Sequence, residues 1–244
     1  MKQGIFVVAE NRPLSRRTME LRLEGDASAV TAPGQFIDVR LESRFLRRPF
    51  SVCDADAGSV TVLYDVVGRG TEELKALPVG TRLDVLTGLG NGFDLSIAGE
   101  APLLIGGGTG ASPLYLLAKE LRRQGKAVRV ILGFPTAAEC YYEEKFRALG
   151  CAVTLVTADG SRGEKGLVTD HMAAPHSAYY ACGAEEMLKA VCRLSPGPGQ
   201  ISLGQRLGCG FGACMGCTIR TAAGLKRLCT EGPVLNKEEL LWDD

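Results

Sequence analysis

Four cysteines near the end of the chain are the residues whose type and spacing most directly indicate chemistry. Cys209, Cys214, Cys217 and Cys229 have the spacing C-x4-C-x2-C-x11-C. The first three match the plant-type pattern of a [2Fe–2S] cluster, with a more distant fourth thiolate. Glycines between them leave backbone N–H groups free to approach the sulfurs. Structural zinc sites prefer two C-x2-C pairs, and this segment has one, so the spacing favours a cluster over a zinc clip or a disulfide.

Length, charge and cysteine count limit the class of protein. The 244 residues suffice for two ordinary domains, and 28 Lys and Arg balance 28 Asp and Glu. Such a chain has no basic footprint for nucleic acid. Its first apolar run, Ile5 to Ala9, is too short for a signal peptide or a membrane span. We therefore expect a cytoplasmic protein, bound to neither nucleic acid nor membrane, whose nine cysteines are thiols and metal ligands.

A glycine loop follows a buried apolar run at IGGGTGASP, residues 105–113. Glycines in a strand-to-helix turn let a pyrophosphate approach the backbone, and the helix N-terminus favours its charge. The candidate nucleotide contacts are Gly106, Gly107, Gly108, Thr109 and Gly110. Cys182 and Gly183 close a later strand, SAYYACG, whose carboxyl end faces the same crevice. This pair suits either a cofactor contact or an ordinary glycine turn.

A second candidate phosphate site lies earlier in the chain. RRPFSV, residues 47–52, is expected at the end of a strand and offers Arg48 for a bidentate phosphate contact. GRGTEEL follows about twenty residues later, with Gly70 and Thr71 at the start of a short helix predicted over 71–78. Each motif alone is weak evidence for a phosphate site, since RRPFSV is also compatible with an ordinary strand edge. Two phosphate-type sites in one chain indicate two nucleotides.

The elements that position these residues fall into two patterns. Up to about residue 98, short apolar or alternating runs separated by Pro, Gly and Asn predict a small antiparallel barrel. From residue 101, strands alternate with helices, the first with Ser112 as its N-cap, which predicts a parallel sheet covered on both faces. The expected fold is α/β plus all-β. Its predicted domains are a barrel, a Rossmann-like nucleotide domain and a small cluster subdomain, over residues 1–98, 99–198 and 199–244.

The chain resembles the electron-transfer subunits of class 1B dihydroorotate dehydrogenases, within the ferredoxin–NADP reductase superfamily, in the order of its motifs RRPFSV, GRGTEEL, GLGNGF, GGGTGASPL, YACGAEEM, CGFGACMGC and LCTEGPVL. The resemblance covers essentially the whole chain and implies that the barrel binds FAD. The implied FAD contacts are Arg48, Pro49, Phe50, Ser51, Leu63, Tyr64, Asp65, Gly70 and Thr71. It also implies NADH over the glycine loop and the Cys182–Gly183 turn, and a [2Fe–2S] cluster on all four cysteines.

The resemblance further implies a route for electrons from NADH through FAD and the cluster to an FMN-containing dihydroorotate dehydrogenase catalytic subunit, in a heterotetramer with two of each chain, during pyrimidine (UMP) synthesis. NADH over NADPH is a family inference, and GFPTAAE offers no Arg or Lys for a 2′-phosphate. Glu139 there suits a ribose hydroxyl or a helix start equally. Two alternatives stay open: a reductase component of a sulfhydrogenase- or transhydrogenase-like complex, and a zinc-stapled binding module with a degenerate flavin fold.

Overall fold

The computed structural model describes residues 1–242 as a closed barrel, a seven-stranded sheet and a two-stranded hairpin. The barrel strands are β1 (Lys2–Pro13), β2 (Thr18–Glu24), β3 (Phe36–Val39), β4 (Arg48–Asp56), β5 (Ser59–Asp65) and β6 (Arg82–Leu89). The later strands are β7 (Leu103–Gly107), β8 (Arg129–Phe134), β9 (Ala152–Thr157), β10 (Glu164–Lys165), β11 (Tyr179–Cys182), β12 (Gly199–Ser202), β13 (Thr218–Thr221), β14 (Gly224–Arg227) and β15 (Val234–Asn236). The helices are α1 (Arg69–Lys75), α2 (Ala111–Arg123), α3 (Glu143–Ala148) and α4 (Glu185–Leu194), with 3₁₀ turns at Leu95–Ala98, Gly108–Gly110, Ala137–Glu139, Val168–His171 and Lys237–Glu239.

The barrel closes in the order β1-β2-β5-β4-β3-β6 with every pair antiparallel. Alternate residues point inward, and Phe6, Leu21 and Val62 are fully buried in its core. One expectation about this barrel is wrong, because RRPFSV begins strand β4 instead of ending a strand. Pro49 explains the position, since a residue without an N–H is tolerated at the start of a strand.

The seven-stranded sheet has the order β10-β9-β8-β7-β11-β12-β15. All neighbours are parallel except β15, which runs antiparallel to β12 at the edge. Alternate residues of β7 pack on opposite faces: Leu104 lies with the side chains of α2 and α3, whereas Leu103 lies with those of α4. Helices on both faces of a parallel sheet confirm the predicted fold class.

Helix α2 fixes the nucleotide loop against the barrel. The sequence suggested Ser112 as its N-cap, but the helix begins at Ala111 with Gly110 as the N-cap, two residues earlier than expected. The Ser112 hydroxyl instead donates to the carbonyl oxygen of Ser51 in β4 at 3.1 Å. Lys119 on the same helix pairs with Asp54 of β4 at 2.7 Å. These contacts place the start of α2 beside the RRPFSV motif.

A second contact joins strand β2 to helix α3. Glu20 is only 3% exposed. One carboxylate oxygen accepts hydrogen bonds from the Tyr142 hydroxyl at 2.6 Å and from Lys145 Nζ at 2.8 Å. The other oxygen accepts from Arg12 at 2.5 Å. Because a buried carboxylate needs such partners, this network stabilises the contact between barrel and sheet.

The cysteine segment leaves the sheet after β12 and returns to it as β15. Asn91 of the GLGNGF motif holds the returning chain: its Nδ2 donates to Val234 O at 2.7 Å, and Val234 N donates to its Oδ1 at 3.0 Å. The predicted boundary at residue 199 therefore falls on the first residue of a sheet strand, and the three-domain division remains a prediction. Among the helices of residues 1–242, none has the length and hydropathy to cross a membrane.

Candidate functional site

The four predicted cluster ligands lie in two pairs. The Cys214 thiol lies close enough to Cys209 to affect its pKa, and the Cys217 thiol has the same relation to Cys229. Within residues 1–242, no three His, Cys, Asp or Glu side chains converge as they would around a single metal ion. A [2Fe–2S] cluster takes four thiolates, two for each iron. Two pairs of thiols therefore fit the predicted group.

Backbone N–H groups surround these sulfurs. The contacts are Ala213 N and Cys214 N to Cys209 Sγ at 3.2 and 3.4 Å, Gly216 N to Cys214 Sγ at 3.4 Å, and Cys229 N to Cys217 Sγ at 3.4 Å. The loop needs left-handed backbone to make them, with φ +79° at Gly210 and +90° at Gly212. Hydrogen bonds to cluster sulfurs tune the potential, so these glycines serve the redox function predicted for the loop.

The thiols differ in their readiness to ionise. Burial disfavours the Cys209 thiolate, but N–H groups of Cys214, Phe211 and Ala213 and the Cys214 thiol outweigh it and lower the pKa of Cys209 to about 6. Burial and the adjacent Cys217 raise the pKa of Cys229 to about 12. Because the thiolate is the form that binds metal, the lowered pKa of Cys209 favours metal binding at this thiol near neutral pH.

The cysteine loop packs on the barrel through one side only. Cys217 and Cys229 are buried against Phe36 and Leu89 of strands β3 and β6, whereas Cys214 is exposed. Two large apolar side chains beside it, Phe211 and Met215, are 48% and 54% exposed. The bound group would therefore have a protein side facing the barrel and an open side facing outward.

Asp38 is the residue at this contact that sequence reasoning missed. It is 1% exposed, and its Oδ1 has no hydrogen-bond partner within residues 1–242. Burial raises its pKa to about 7 against the attraction of Arg47. A Cβ on Gly210 would lie 2.5 Å from its Oδ2, so the cysteine loop fits over it only as glycine. The one signal was an acidic residue inside the apolar strand pattern QFIDV.

The structure brings together Arg48 and Gly70, which are 22 residues apart. The guanidinium lies over the glycine, where a Cβ would be 2.4 Å from Arg48 Nε. Its hydrogen bonds within residues 1–242 come from Nη1, to the carbonyl oxygens of Leu46 and Arg47 at 2.8 and 3.1 Å. Nε and Nη2 thus keep donors for an outside acceptor, which suits a phosphate.

The sequence suggested Thr71 as the N-cap of helix α1, but the structure places Gly68 at the N-cap. The helix begins at Arg69, and Thr71 is its third residue. The Thr71 hydroxyl oxygen accepts hydrogen bonds from the N–H groups of Val67 and Gly68 at 2.9 and 3.2 Å. It thereby satisfies donors that the helix leaves unpaired and fixes the turn that carries Gly70.

The remaining predicted FAD contacts differ in exposure. Phe50 and Tyr64 are buried in the barrel, with ring centroids 5.5 Å apart, and Leu63 is buried too. The Asp65 carboxylate accepts a hydrogen bond from the Thr18 hydroxyl at 2.7 Å. Because these side chains pack in the barrel, any FAD contact made by Leu63, Tyr64 or Asp65 would come from the backbone. Pro49 and Ser51 are partly exposed beside Arg48, and all nine assignments remain predictions.

The glycine loop meets the Cys182–Gly183 turn directly. A Cβ on Gly110 would lie 2.0 Å from the carbonyl oxygen of Cys182, and one on Gly107 would lie 3.7 Å from Gly183 Cα. Burial raises the pKa of Cys182 to about 11. A Cβ on Gly108, by contrast, would meet nothing within 4 Å. The structure therefore places the predicted nucleotide residues at one edge of the sheet, with Gly108 on the open side.

Comparison with known proteins identifies the family. The iron–sulfur cluster binding domain of dihydroorotate dehydrogenase B matches residues 204–241, and the oxidoreductase NAD-binding domain matches residues 104–193. The dihydroorotate dehydrogenase B (NAD(+)) electron transfer subunit of Geobacillus sp. (strain WCH70) is 40% identical over 256 residues, which cover 99% of each chain. Its namesake from Bacillus caldolyticus is 41% identical over 97% of each. The chain belongs to the family of dihydroorotate dehydrogenase B electron transfer subunits.

Solved structures share the fold of this electron transfer subunit. The structure of an NADH-dependent reduced ferredoxin-NADP oxidoreductase matches 98% of this chain and 90% of its own, with TM-score 0.88 and 27% identity. A Neisseria gonorrhoeae ferredoxin NADP+ reductase with bound FAD and NADP shares the fold, with TM-score 0.68 over 80% of this chain and 90% of its own, at 16% identity. The predicted oxidoreductase class is confirmed by the family, and the two matched domains are ones that bind an iron–sulfur cluster and NAD.

Proposed function

We propose that the chain passes electrons between NADH and the FMN of a dihydroorotate dehydrogenase catalytic subunit, through FAD and a [2Fe–2S] cluster. One arrangement carries this proposal: strands β3 and β4 lie between the nucleotide loop and the cysteine loop. Ser51 of β4 accepts a hydrogen bond from Ser112. Asp38 of β3 pairs with Pro49 of β4 and contacts Gly210. The RRPFSV motif, predicted to bind FAD, is thus adjacent both to the loop predicted to bind NADH and to the loop predicted to hold the cluster.

The residues of this chain bind and orient the cofactors, and the cofactors supply the redox chemistry: hydride from NADH, two-electron to one-electron conversion at FAD, and single-electron transfer at the cluster. The free guanidinium donors of Arg48 would hold a phosphate of FAD. The open face of Gly108 would let a pyrophosphate approach the backbone. The four cysteines would hold the cluster, with one pair shielded by the barrel.

The exposed side of the cysteine loop is the surface that we assign to the partner. Phe211 and Met215 flank the exposed Cys214, and aromatic and methionine side chains are enriched in protein interfaces. A catalytic partner follows from the family, whose members are named as one subunit of an enzyme. We propose that this partner carries FMN, that two of each chain form a heterotetramer, and that the complex serves pyrimidine (UMP) synthesis in the cytoplasm.

Co-expression with a candidate FMN subunit tests the proposal. The purified complex should couple the oxidation of NADH to the reduction of orotate, and this chain should retain FAD and iron. Phe211→Asp should weaken the complex at least tenfold, because it places a charge in an apolar contact, and should leave reduction of bound FAD by NADH unchanged. Val79→Asp is the matched control, since Val79 is 68% exposed on the barrel. Equal loss of complex in both variants, or none in either, would contradict the assigned surface.

A reductase role in another multi-subunit oxidoreductase is the second candidate. It is favoured by the match to the NADH-dependent reduced ferredoxin-NADP oxidoreductase, which spans 98% of this chain. The lower identity of that match, 27% against 40% for the dihydroorotate dehydrogenase subunits, puts it second. Turnover of NADH with NADP⁺ and ferredoxin, but not with orotate and the FMN subunit, would establish the second role.

A further inference from the structure

A group of opposite charges lies at the carboxyl ends of β8 and β9, on the far side of the glycine loop from Cys182. We call Glu139, Glu143 and Arg162 the β8–β9 charge cluster. Arg162 Nη2 pairs with Glu143 Oε2 at 2.7 Å, and the Cys140 thiol lies near the charges of these three residues and of Asp159. A hydrogen bond from Ala137 N to Ser161 Oγ, 2.7 Å long, ties the two loops together.

The topology assigns this cluster to the adenosine end of a bound dinucleotide. The pyrophosphate belongs at the glycine loop after β7. The neighbour of β7 on one side is β11, whose Cys182 end meets the glycine loop beside the FAD motif. The neighbours on the other side are β8 and then β9. A nicotinamide directed toward FAD therefore leaves the adenosine ribose beside the ends of β8 and β9.

Glu139 supplies a second observation that points to a ligand there. Its Oε2 is buried and has no hydrogen-bond partner within residues 1–242. An unpaired carboxylate oxygen is unfavourable, and a ribose hydroxyl is the donor that acidic residues near this strand end accept in NAD sites. The 2′-phosphate of NADPH has no proton to donate and would instead face a carboxylate of like charge.

Arg162 would favour NADPH over NADH if its guanidinium were free to bind a 2′-phosphate. A guanidinium beside the ribose accommodates a 2′-phosphate. In this structure Arg162 is committed to Glu143, whose side chain is only 11% exposed and also pairs with Arg147 at 2.7 Å. Glu143 is therefore fixed by two ion pairs, one of which neutralises Arg162, the arginine of the β8–β9 charge cluster.

We propose that the β8–β9 charge cluster selects NADH over NADPH: Glu139 accepts the adenosine 2′-hydroxyl, and Glu143 withholds Arg162 from a 2′-phosphate. The inference rests on the proposed use of NADH, and it names the residues that discriminate. It implies a latent phosphate site, since loss of both carboxylate charges would leave an unpaired guanidinium beside the ribose.

Binding of adenine nucleotides to the whole FAD- and cluster-loaded subunit tests this without redox turnover. Calorimetry with 5′-AMP and 2′,5′-ADP should show tighter binding of 5′-AMP to the wild type. Glu139→Gln with Glu143→Gln should strengthen 2′,5′-ADP binding about tenfold or more, the effect of one charge-assisted hydrogen bond. Adding Arg162→Ala should remove that gain. Glu144→Gln, an exposed residue on the same helix, is the charge-matched control and should change nothing.

The outcomes separate this inference from the proposed function. An unchanged ratio of the two nucleotides in the double variant, or a gain that survives Arg162→Ala, would overturn the selection mechanism. The single variant Arg162→Ala gives an independent check, because it should leave 5′-AMP binding within twofold of wild type. If the nucleotides bind as expected but NADH does not reduce the flavin, the proposed function fails while the selectivity stands.

Discussion

Replacing Gly70 by alanine should separate cofactor binding from folding. The new Cβ would lie 2.4 Å from Arg48 Nε and 3.1 Å from its Cζ and Nη2, so the guanidinium must retreat by about 1 Å to reach ordinary contact. Gly70 is the second residue of α1, where alanine gains up to about 1 kcal/mol in helix propensity. The obstacle is a flexible side chain, so the fold should keep its stability.

The FAD affinity should fall instead. A charge-assisted hydrogen bond contributes about 1.5–3 kcal/mol, so losing one phosphate contact should raise the Kd of FAD roughly 10- to 100-fold. The assay is titration of flavin-free protein with FAD, with thermal unfolding measured on the same samples. Gly58→Ala is the control, because its Cβ would meet only Asp56 Oδ1 at 3.7 Å, at the far end of β4. An FAD affinity within twofold of wild type in Gly70→Ala would refute a phosphate contact from Arg48.

Three further changes test two other parts of the site and one contact that stabilises the fold. Cys214→Ser should remove the visible absorbance of the cluster and block transfer to the partner, while single-turnover reduction of FAD by NADH continues; loss of both steps would contradict separate sites. Gly110→Ala places a Cβ 2.0 Å from the rigid carbonyl oxygen of Cys182, so urea unfolding should show a loss of about 2 kcal/mol or more, with weaker NADH binding. Although burial opposes its ionisation, cationic neighbours and Tyr142 hold the pKa of Glu20 below its ordinary value of 4.5. Its stabilisation is therefore present above pH 4.5 and disappears as pH falls through the lower folded pKa, so Glu20→Gln should destabilise by about 1–3 kcal/mol at pH 7 and progressively less in acid.

Features set by short spacing were predictable from sequence. The cysteine pattern, the strand alternation and the glycine loop between strand and helix each depend on neighbours within a few residues, and the structure has all three. The sequence did not reveal that Ser112 would bond to Ser51, or that Arg48 would lie over Gly70, because these contacts join residues 61 and 22 positions apart. Local capping rules assigned Ser112 a common role, and a tertiary partner overrode it.

Charged residues inside the fold were the other gap. Asp38 lies in a strand pattern that otherwise predicts only a buried apolar residue. Its place follows from closure of the barrel and from the cysteine loop that covers it. Glu139 was open to two interpretations from sequence, and the buried, unpaired oxygen that favours a ligand depends on how the loops after β8 and β9 pack.

The antiparallel strand β15 bears on what loss of the cluster would do to the rest of the fold. Because β12 and β15 pair with each other and Asn91 bonds to the returning chain, both ends of the cysteine segment are anchored by contacts that do not involve the cysteines. Oxidative loss of iron would then end electron delivery without unravelling the molecule. The folded chain would then keep its four cysteines in place for a new cluster, whereas a zinc finger must refold around each new metal ion.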